Sequence, residues 1–382
     1  MSNAKAGGRL AGLEVLRGLA ASGIVLFHLH AIYLPVPEGW VRDVVKSLST
    51  AVPLFFALSA FSLLFGYADR LGSTADLVRF YTRRAFRILP LFYALLAFQL
   101  LRELYQTHWI SLSTLVVNLL FLFPFFPGQH ESLVWAGWSL GVEWLFYLIF
   151  PLMVLLARSV RASAWALLLF WIANIAVARV SDSAGLVASY RSMSLPTNLL
   201  YFLSGTLAYA LLLRARQHSQ DTPLPRWVGE RSGLALLASL LLLALLKWAV
   251  PASWQALLPW SGISAMVILL WVLLAHAGLP RWMSRPGMQT LGAISYGTYL
   301  IHPVVLWALQ QQDLFAALVR LTGSALPAFA CASVLTLLLV WGLALASLRW
   351  LESPAIRWGE RWLQSRSSRS DHGDRASASL QR

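Results

Sequence analysis

Four groups of polar residues in this sequence have types and spacings that suit chemistry. The first group, Glu14, Arg17 and His28, lies in an apolar run, where each ionisable side chain costs roughly 2.5 kcal/mol or more inside a bilayer and marks a candidate functional site. Eleven positions at 3.6 residues per turn make about three turns, so Arg17 and His28 share a face about 16 Å apart. Glu14 can pair with Arg17. Alternatively, the arginine extends to the membrane surface and the histidine bridges helices.

The second group is a basic cluster, Arg83, Arg84 and Arg87, which stands just before Pro90. Arg84 and Arg87 are three residues apart, so on a helix they face the same way and can clamp phosphate through bidentate hydrogen bonds. The competing interpretation is a positively charged anchor on the cytoplasmic side of a span, which needs the same residues at the same place.

The third group combines Trp138, Ser139, Glu143 and Tyr147 near the start of another apolar run. A carboxylate beside aromatic rings suits recognition of sugar hydroxyls or orientation of a basic partner. An aromatic belt at the membrane interface, with a partly solvated glutamate, explains the same residues without any ligand.

The fourth group is Ser295, Tyr296, Tyr299 and His302. Ser295 and Tyr299 are four residues apart and share one helical face, so the group is expected to line a cavity with the others. Because Pro303 follows His302, the histidine can equally cap a break in the helix. The spacing alone does not decide between these roles.

The elements that position these groups are set by an unusually apolar composition. Of 382 residues, 58% are hydrophobic and only 12% are charged, with a mean hydropathy of +0.65. A soluble domain carries about a quarter charged residues, so this chain is predicted to lie in a membrane. The net charge of +14 does not indicate nucleic acid, because the arginines stand in short loops beside apolar runs. The single Cys331 excludes an intrachain disulfide framework.

The predicted fold class is all-α: a polytopic transmembrane bundle of about ten spans with one re-entrant or interfacial segment. We assign residues 1–12 to a cytoplasmic N-terminal segment, 13–358 to the membrane domain and 359–382 to a cytoplasmic, disordered tail. The predicted spans are 15–35, 50–68, 88–105, 138–157, 164–181, 196–213, 233–250, 259–277, 290–311 and 325–350.

The apolar stretch 113–126 is short and ends in prolines, so the distribution of charge decides whether it crosses the membrane. If it does not cross, the arginine-rich loops all fall on one side, which is then cytoplasmic, and both termini are cytoplasmic. These loops contain Arg70, Arg79, Arg83 and Arg84; Arg158 and Arg161; Arg214, Arg216, Arg226 and Arg231; and Arg281 and Arg285. The exceptions on the other side are Arg42, Lys46, Arg102 and Arg191.

Four ordered motifs in the chain resemble those of the type 3 membrane acyltransferase family. They are Leu16–Ala21 with Phe27 and His28, Arg83–Pro90, Trp138–Tyr147, and Ile294–Pro303. Each motif alone is a weak signal, but together they cover the spans from about Leu13 to Arg357. The resemblance implies a ten-span bundle that moves acyl groups, often acetyl, from cytoplasmic acyl-CoA to carbohydrate or other hydroxyl acceptors.

Carried over by position, the resemblance implies that His28 is the catalytic base and acts with Arg17 and Glu14. It also implies that Arg84 and Arg87 hold the phosphates of coenzyme A, and we include the adjacent Arg83. Glu143 matches the family's acidic residue after its Trp-Ser-Leu run. We group Trp138, Ser139, Glu143, Tyr147, Ser295, Tyr299 and His302 as expected substrate-binding residues.

Two positions depart from the family pattern. Glu14 replaces the usual Asp, which keeps the charge, whereas Ala60 replaces the usual Gly after Ser59 and leaves a helix contact in doubt. Some family members carry an extra extracytoplasmic hydrolase-like domain, and the polar tail, residues 359–382, is expected to be too short for it. The membrane domain is therefore expected to finish transfer itself or with a separate extracytoplasmic transferase.

The expected partners are acyl-CoA as co-substrate, a carbohydrate or glycolipid acceptor and the lipid of the cytoplasmic (inner) membrane. No permanently bound cofactor is expected. No metal site is expected either, since His28 and His30 lie on nearly opposite helix faces. The rival function is a secondary transporter or flippase, which also has many spans and buried charges but often shows internal repeats. A purely structural membrane protein does not explain Arg17 and His28 on one face.

Overall fold

A computed structural model describes residues 2–183, 188–218 and 285–380, together with the single positions 238, 267 and 269. The predicted spans 233–250 and 259–277 lie outside these residues.

The described part of the chain is built of helices. In chain order they are α1 (Ser2–His28), α2 (Trp40–Ser47), α3 (Ala51–Tyr67), α4 (Thr74–Tyr105), α5 (Leu112–Leu119), α6 (Trp138–Leu156), α7 (Val160–Ser183), α8 (Ala188–Ser192), α9 (Leu195–His218), α10 (Pro286–Ala293), α11 (Ser295–Gln311), α12 (Leu314–Thr322), α13 (Ala325–Ser347) and α14 (Ser353–Leu380). Short 3₁₀ turns occur at Leu48–Thr50 and Phe123–Phe125, and π-helical segments at Leu29–Tyr33 and Leu348–Glu352.

Eight stretches of the described residues are long and apolar enough to cross a bilayer. Seven are continuous helical stretches, and the eighth is the pair α10 and α11, which meet at an angle of 67°. They coincide with the eight predicted spans that fall within the described residues. The prediction of an all-helical, polytopic membrane bundle is therefore confirmed, and the chain is an integral membrane protein.

The segment 113–126 does not form a span. Its helix, α5, has eight residues, which is about 12 Å and far short of the roughly 30 Å hydrocarbon core. A 3₁₀ turn at Phe123–Phe125 then packs onto α6, where a Cβ on Gly141 would overlap the Phe123 ring and Pro124. The segment thus lies against the bundle as a short, non-crossing element.

Close helix crossings hold the core together at small residues. Helix α3 packs along α9, and a Cβ on Gly205 would overlap the carbonyl oxygen of Ala57. Helix α1 packs along α10, and a Cβ on Gly292 would overlap the carbonyl oxygen of Glu14. Glycine at such crossings lets two backbones approach within van der Waals contact. Close packing of this kind stabilises helix association in a membrane, where the hydrophobic effect does not drive it.

Helices α4 and α14 extend well beyond the predicted boundaries. Helix α4 begins fourteen residues before the predicted start of its span, because Ser73 and Asp76 form a capping box that begins a helix in polar sequence. Helix α14 runs to Leu380, through the segment that we predict as a disordered tail. Once the packed turn at Ser353 has begun a helix, each further residue adds a hydrogen bond, so the helix continues into polar sequence.

Candidate functional site

A cavity of about 450 Å³ lies in the middle of the bundle. Its walls come from α1, α3, α4, α6, α10 and α11, with Leu348 at one edge. Nine of the predicted site residues line it: Glu14, Arg17, Arg84, Arg87, Ser139, Glu143, Tyr147, Ser295 and Tyr299. Four separate sequence groups therefore meet at one place.

One end of the cavity, which we call the arginine end, is formed by Arg17, Arg84 and Arg87 with Glu14. Arg17 Nη1 donates to Glu14 Oε1 at 3.0 Å, and Arg17 Nη2 lies 3.4 Å from the carbonyl oxygen of Leu58. The predicted pairing of Glu14 with Arg17 is therefore confirmed.

Arg84 and Arg87 share one face of α4, as their spacing predicts, and neither has a carboxylate partner in the described part of the chain. The guanidinium of Arg84 lies 5.7 Å from the ring centre of Tyr67, and its buried Nε finds no hydrogen-bond acceptor among the described residues. Because a buried donor without a partner is costly, this arrangement favours an anionic ligand with several oxygen atoms.

Glu143, in the cavity wall, is held by two hydroxyl groups. Ser59 Oγ donates to Glu143 Oε1 at 2.5 Å, and Tyr147 Oη donates to the same oxygen at 2.7 Å. Tyr147 is one helical turn after Glu143, as the spacing predicts, whereas Ser59 reaches it from α3. Both hydrogen bonds use Oε1, and they fix the carboxylate in the cavity wall.

Tyr299 of α11 also lines the cavity. Ser139 Oγ donates to Tyr299 Oη at 2.8 Å, which joins α6 to α11. The ring of Phe55 meets the Tyr299 ring edge-on at 5.7 Å. Ser295 lines the cavity one turn earlier on α11, so the prediction that Ser295 and Tyr299 line one cavity is confirmed.

The histidine pair, His28 and His302, lies one turn of α11 beyond Tyr299 rather than in the cavity wall. His28 Nδ1 and His302 Nε2 are 2.8 Å apart. The two rings are nearly parallel, at 11°, with centres 5.0 Å apart, which fits an N–H···N hydrogen bond in the plane of the rings. His302 is fully buried and His28 is partly buried.

The backbone fixes which nitrogen of each ring carries a proton. Pro303 has no N–H for the carbonyl of Tyr299, four residues before it, and His302 Nδ1 lies 2.5 Å from that oxygen instead. A carbonyl can only accept, so His302 Nδ1 carries hydrogen and its Nε2 accepts from His28 Nδ1. The remaining nitrogen, His28 Nε2, then keeps a free lone pair and can accept a proton.

Four predicted site residues lie outside the cavity wall. Two of them are the histidine pair. Arg83 points away on α4 and forms a bidentate ion pair with Glu360 of α14, at 2.8 and 3.1 Å. Trp138 packs edge-on against the ring of Phe56, with centres 6.2 Å apart, and so has a packing role at the start of α6.

Sequence reasoning missed two residues that the structure brings to the site. Ser59 and Tyr67 both line the cavity. The signal available for Ser59 was a hydroxyl inside an apolar run. Tyr67 stands at the end of a span, where tyrosine is expected in any membrane protein, so its type carried no signal.

Comparison with known proteins gives one family match and one relative. A family model described as an acyltransferase domain matches residues 10–345. A protein of Acidianus two-tailed virus is 27% identical to this chain over 304 residues, which cover 75% of this chain and 80% of the viral protein. The name of that protein describes it as a proposed acetyltransferase. No solved structure matches the chain.

Proposed function

The chain belongs to the acyltransferase family whose domain model spans residues 10–345. We propose that it moves an acyl group, with acetyl as the first candidate, from acyl-CoA to a carbohydrate hydroxyl. Transfer of acyl groups by a membrane protein is the general activity of such an enzyme. The acyl-CoA donor, the carbohydrate acceptor and the roles of individual residues are our proposal. The observation that carries it is the pair Arg84 and Arg87, which lack carboxylate partners among the described residues and share a cavity with Glu143 and Tyr299.

Acyl-CoA suits the arginine end because it brings several phosphate groups to Arg84 and Arg87, which have no carboxylate partner among the described residues. Guanidinium and phosphate form paired hydrogen bonds that are roughly twice as strong as neutral ones. The charged nucleotide would remain at the arginine end while the pantetheine arm lies along the cavity toward Tyr299. This places the thioester on the side of the histidine pair.

His28 Nε2 is the proposed general base. It would take the proton of the acceptor hydroxyl as that oxygen attacks the thioester carbon; the C–S bond then breaks, and the proton returns to the departing thiolate. A covalent acyl-histidine followed by transfer to the hydroxyl balances equally well. Arg17, three turns away on α1 and paired with Glu14, supports binding of the donor better than direct stabilisation of the reacting carbonyl.

Tyr299 lines the cavity and its ring lies beside that of His302, so we propose that its side chain moves during the reaction. Its ring is 5.8 Å from the His302 ring, and its hydroxyl is held by Ser139. Rotation of the Tyr299 ring would join the cavity to His28. The hydroxyl of Ser139 and the carboxylate of Glu143 would then be free to contact the acceptor.

The proposed location is the cytoplasmic (inner) membrane, with both termini and the arginine end on the cytoplasmic side. This orientation rests on the arginine-rich loops and on α5, which is too short to cross. Acyl-CoA is a cytoplasmic metabolite, so the donor would reach the arginine end directly. The acceptor is proposed to be a surface or exported carbohydrate, or its lipid-linked precursor.

Binding of acetyl-CoA tests the proposal most directly. The protein is purified into nanodiscs of zwitterionic lipid and titrated with acetyl-CoA by calorimetry, and with longer acyl-CoA thioesters if the first titration is silent. Saturable binding is the expected result. Absence of binding by every acyl-CoA would contradict the proposal and favour a transporter, for which uptake into proteoliposomes is then the next measurement.

A further inference from the structure

A second cavity, of about 270 Å³, lies beside the arginine end, between α4 and α14. We call it the side chamber. It shares three wall residues with the main cavity, namely Tyr67, Arg84 and Arg87, so the two spaces adjoin. Its other walls are Arg83, Phe86, Ile356, Gly359 and Glu360.

The charges around the side chamber are unbalanced. Three arginines line it against a single carboxylate, Glu360, and that carboxylate is fully engaged by Arg83. Arg84 and Arg87 face the space between the two cavities without a carboxylate partner in the described ranges. The chamber therefore presents excess positive charge in a partly enclosed space.

The ion pair that borders the chamber is accessible to water. The side chains of Arg83 and Glu360 are 34% and 38% exposed. Ion pairs at this exposure contribute little to stability, because water and salt screen them. A dianionic phosphate ester can therefore replace Glu360 on Arg83 at small cost, and the same two guanidinium nitrogens would then bind two phosphate oxygens.

The apolar side of the chamber suits a flat group. A Cβ on Gly359 would overlap the Phe86 ring, so glycine lets α14 approach α4 closely at this point. The Phe86 ring meets Trp358 edge-on at 5.0 Å, which holds the ring in place. Arginines on one side and a fixed aromatic ring on the other are the features that bind a phosphorylated nucleoside.

We propose that the side chamber binds the phosphorylated nucleoside end of acyl-CoA, and that Glu360 gives up Arg83 to a phosphate group when the donor binds. This inference rests on the proposed function, since it assigns one part of the donor to one part of the site. Arg84 and Arg87 would hold phosphate at the junction of the two cavities. The thioester arm then enters the main cavity in the direction of Tyr299.

The test compares two donors that differ in their phosphates. Acetyl-CoA carries them, whereas S-acetyl-pantetheine keeps the thioester arm without any phosphate. In zwitterionic nanodiscs, Arg83→Ala is expected to weaken acetyl-CoA binding about tenfold or more, because a charge-assisted bidentate contact is lost, and to leave S-acetyl-pantetheine unchanged. Glu360→Gln, which keeps the side-chain size and removes the competing charge, is expected to tighten acetyl-CoA binding severalfold.

Arg79→Ala is the matched control. Arg79 is an exposed arginine one turn before Arg83 on the same helix, outside both cavities, so its loss tests the effect of one positive charge on α4. It is expected to change neither affinity by more than about twofold, as for a screened surface charge. Thermal unfolding of each variant shows whether the bundle remains folded.

Several outcomes would overturn the inference. Equal weakening of both donors by Arg83→Ala would mean that the residue does not contact phosphate, and no weakening of either would mean that the chamber is not used. A lipid headgroup is the other source of phosphate: if Arg83→Ala acts only in nanodiscs containing phosphatidylglycerol, the chamber binds lipid rather than donor. If the wild type binds no acyl-CoA, the proposed function itself fails, which is a distinct result.

Discussion

The arginine end and the histidine pair differ in how their polar atoms are satisfied. Arg84 and Arg87 face the cavity without carboxylate partners among the described residues, whereas three of the four ring nitrogens of His28 and His302 take part in one hydrogen-bonded chain from the Tyr299 carbonyl. The first arrangement leaves positive charge available to an anionic ligand. The second is already organised and leaves one lone pair, on His28 Nε2, for chemistry.

This difference predicts that substitutions at the arginine end change donor affinity, whereas substitutions in the histidine pair change kcat. Loss of an arginine should weaken donor binding and leave the chemical step largely intact. Loss of a histidine should slow the chemical step and leave donor binding intact. A variant that changes both quantities equally would remove the distinction between the ends.

The largest effect is expected for His28→Ala. Removal of a general base typically costs about 10² to 10⁴ in rate, so kcat for acetyl transfer should fall by that factor, with acetyl-CoA affinity within about twofold. The measurement counts radiolabel moved from acetyl-CoA into the carbohydrate fraction of membranes. His108→Ala, at an exposed histidine paired with Glu103, is the control. Near-normal transfer by His28→Ala would exclude His28 from the mechanism.

The next effect is expected for the double variant Arg84→Ala, Arg87→Ala. Each charge-assisted hydrogen bond contributes about 1.5–3 kcal/mol, so loss of both guanidinium groups should weaken acetyl-CoA binding by about 10² or more. Calorimetry of the purified protein measures this.

Arg84→Lys tests whether Arg84 binds through charge alone or through paired hydrogen bonds, since lysine keeps the charge but cannot form the paired contact. The acetyl-CoA affinity of this variant should fall between those of wild type and Arg84→Ala. An unchanged affinity in the double variant would return both residues to the role of a positively charged membrane anchor.

A smaller effect, about tenfold in kcat, is expected for His302→Ala. Without His302 Nε2, the proton of His28 can move to either nitrogen, and one hydrogen bond of about 1 to 1.5 kcal/mol no longer holds the ring. His302→Gln should restore most of the rate, because its side-chain oxygen can accept from His28 Nδ1. A merely structural role for His302 predicts no such rescue and a loss of stability in both variants.

The sequence allowed prediction of contacts within a helix far better than contacts between helices. Glu14 with Arg17, Glu143 with Tyr147, and Arg84 facing the same way as Arg87 all follow from the helical period, and the structure places them so. The spans were equally accessible, since hydropathy and length depend only on local sequence.

Contacts between helices depend on how the helices pack, which local sequence does not determine. His28 and His302 are separated by 274 residues, and Arg83 and Glu360 by 277. The bend of 67° between α10 and α11 was also missed, because a bent apolar segment has the same hydropathy as a straight one. Pro303 predicts a possible break in the helix after His302, but the bond that His302 makes depends on the position of its ring relative to the Tyr299 carbonyl.

The smallest effect is expected at the hydrogen bond from Ser139 to Tyr299, beside the histidine pair. Ser139→Ala and Tyr299→Phe each remove this bond, worth about 0.5 to 1.5 kcal/mol, and each should change kcat by about two- to fivefold without changing acetyl-CoA affinity.

If the two residues act only through each other, the double variant should behave like either single variant, which a double-mutant cycle measures directly. Additive effects would instead mean that Ser139 and Tyr299 contact the substrate separately. The end of the cavity would then be a binding surface for the acceptor rather than a movable boundary between the donor and the histidine pair.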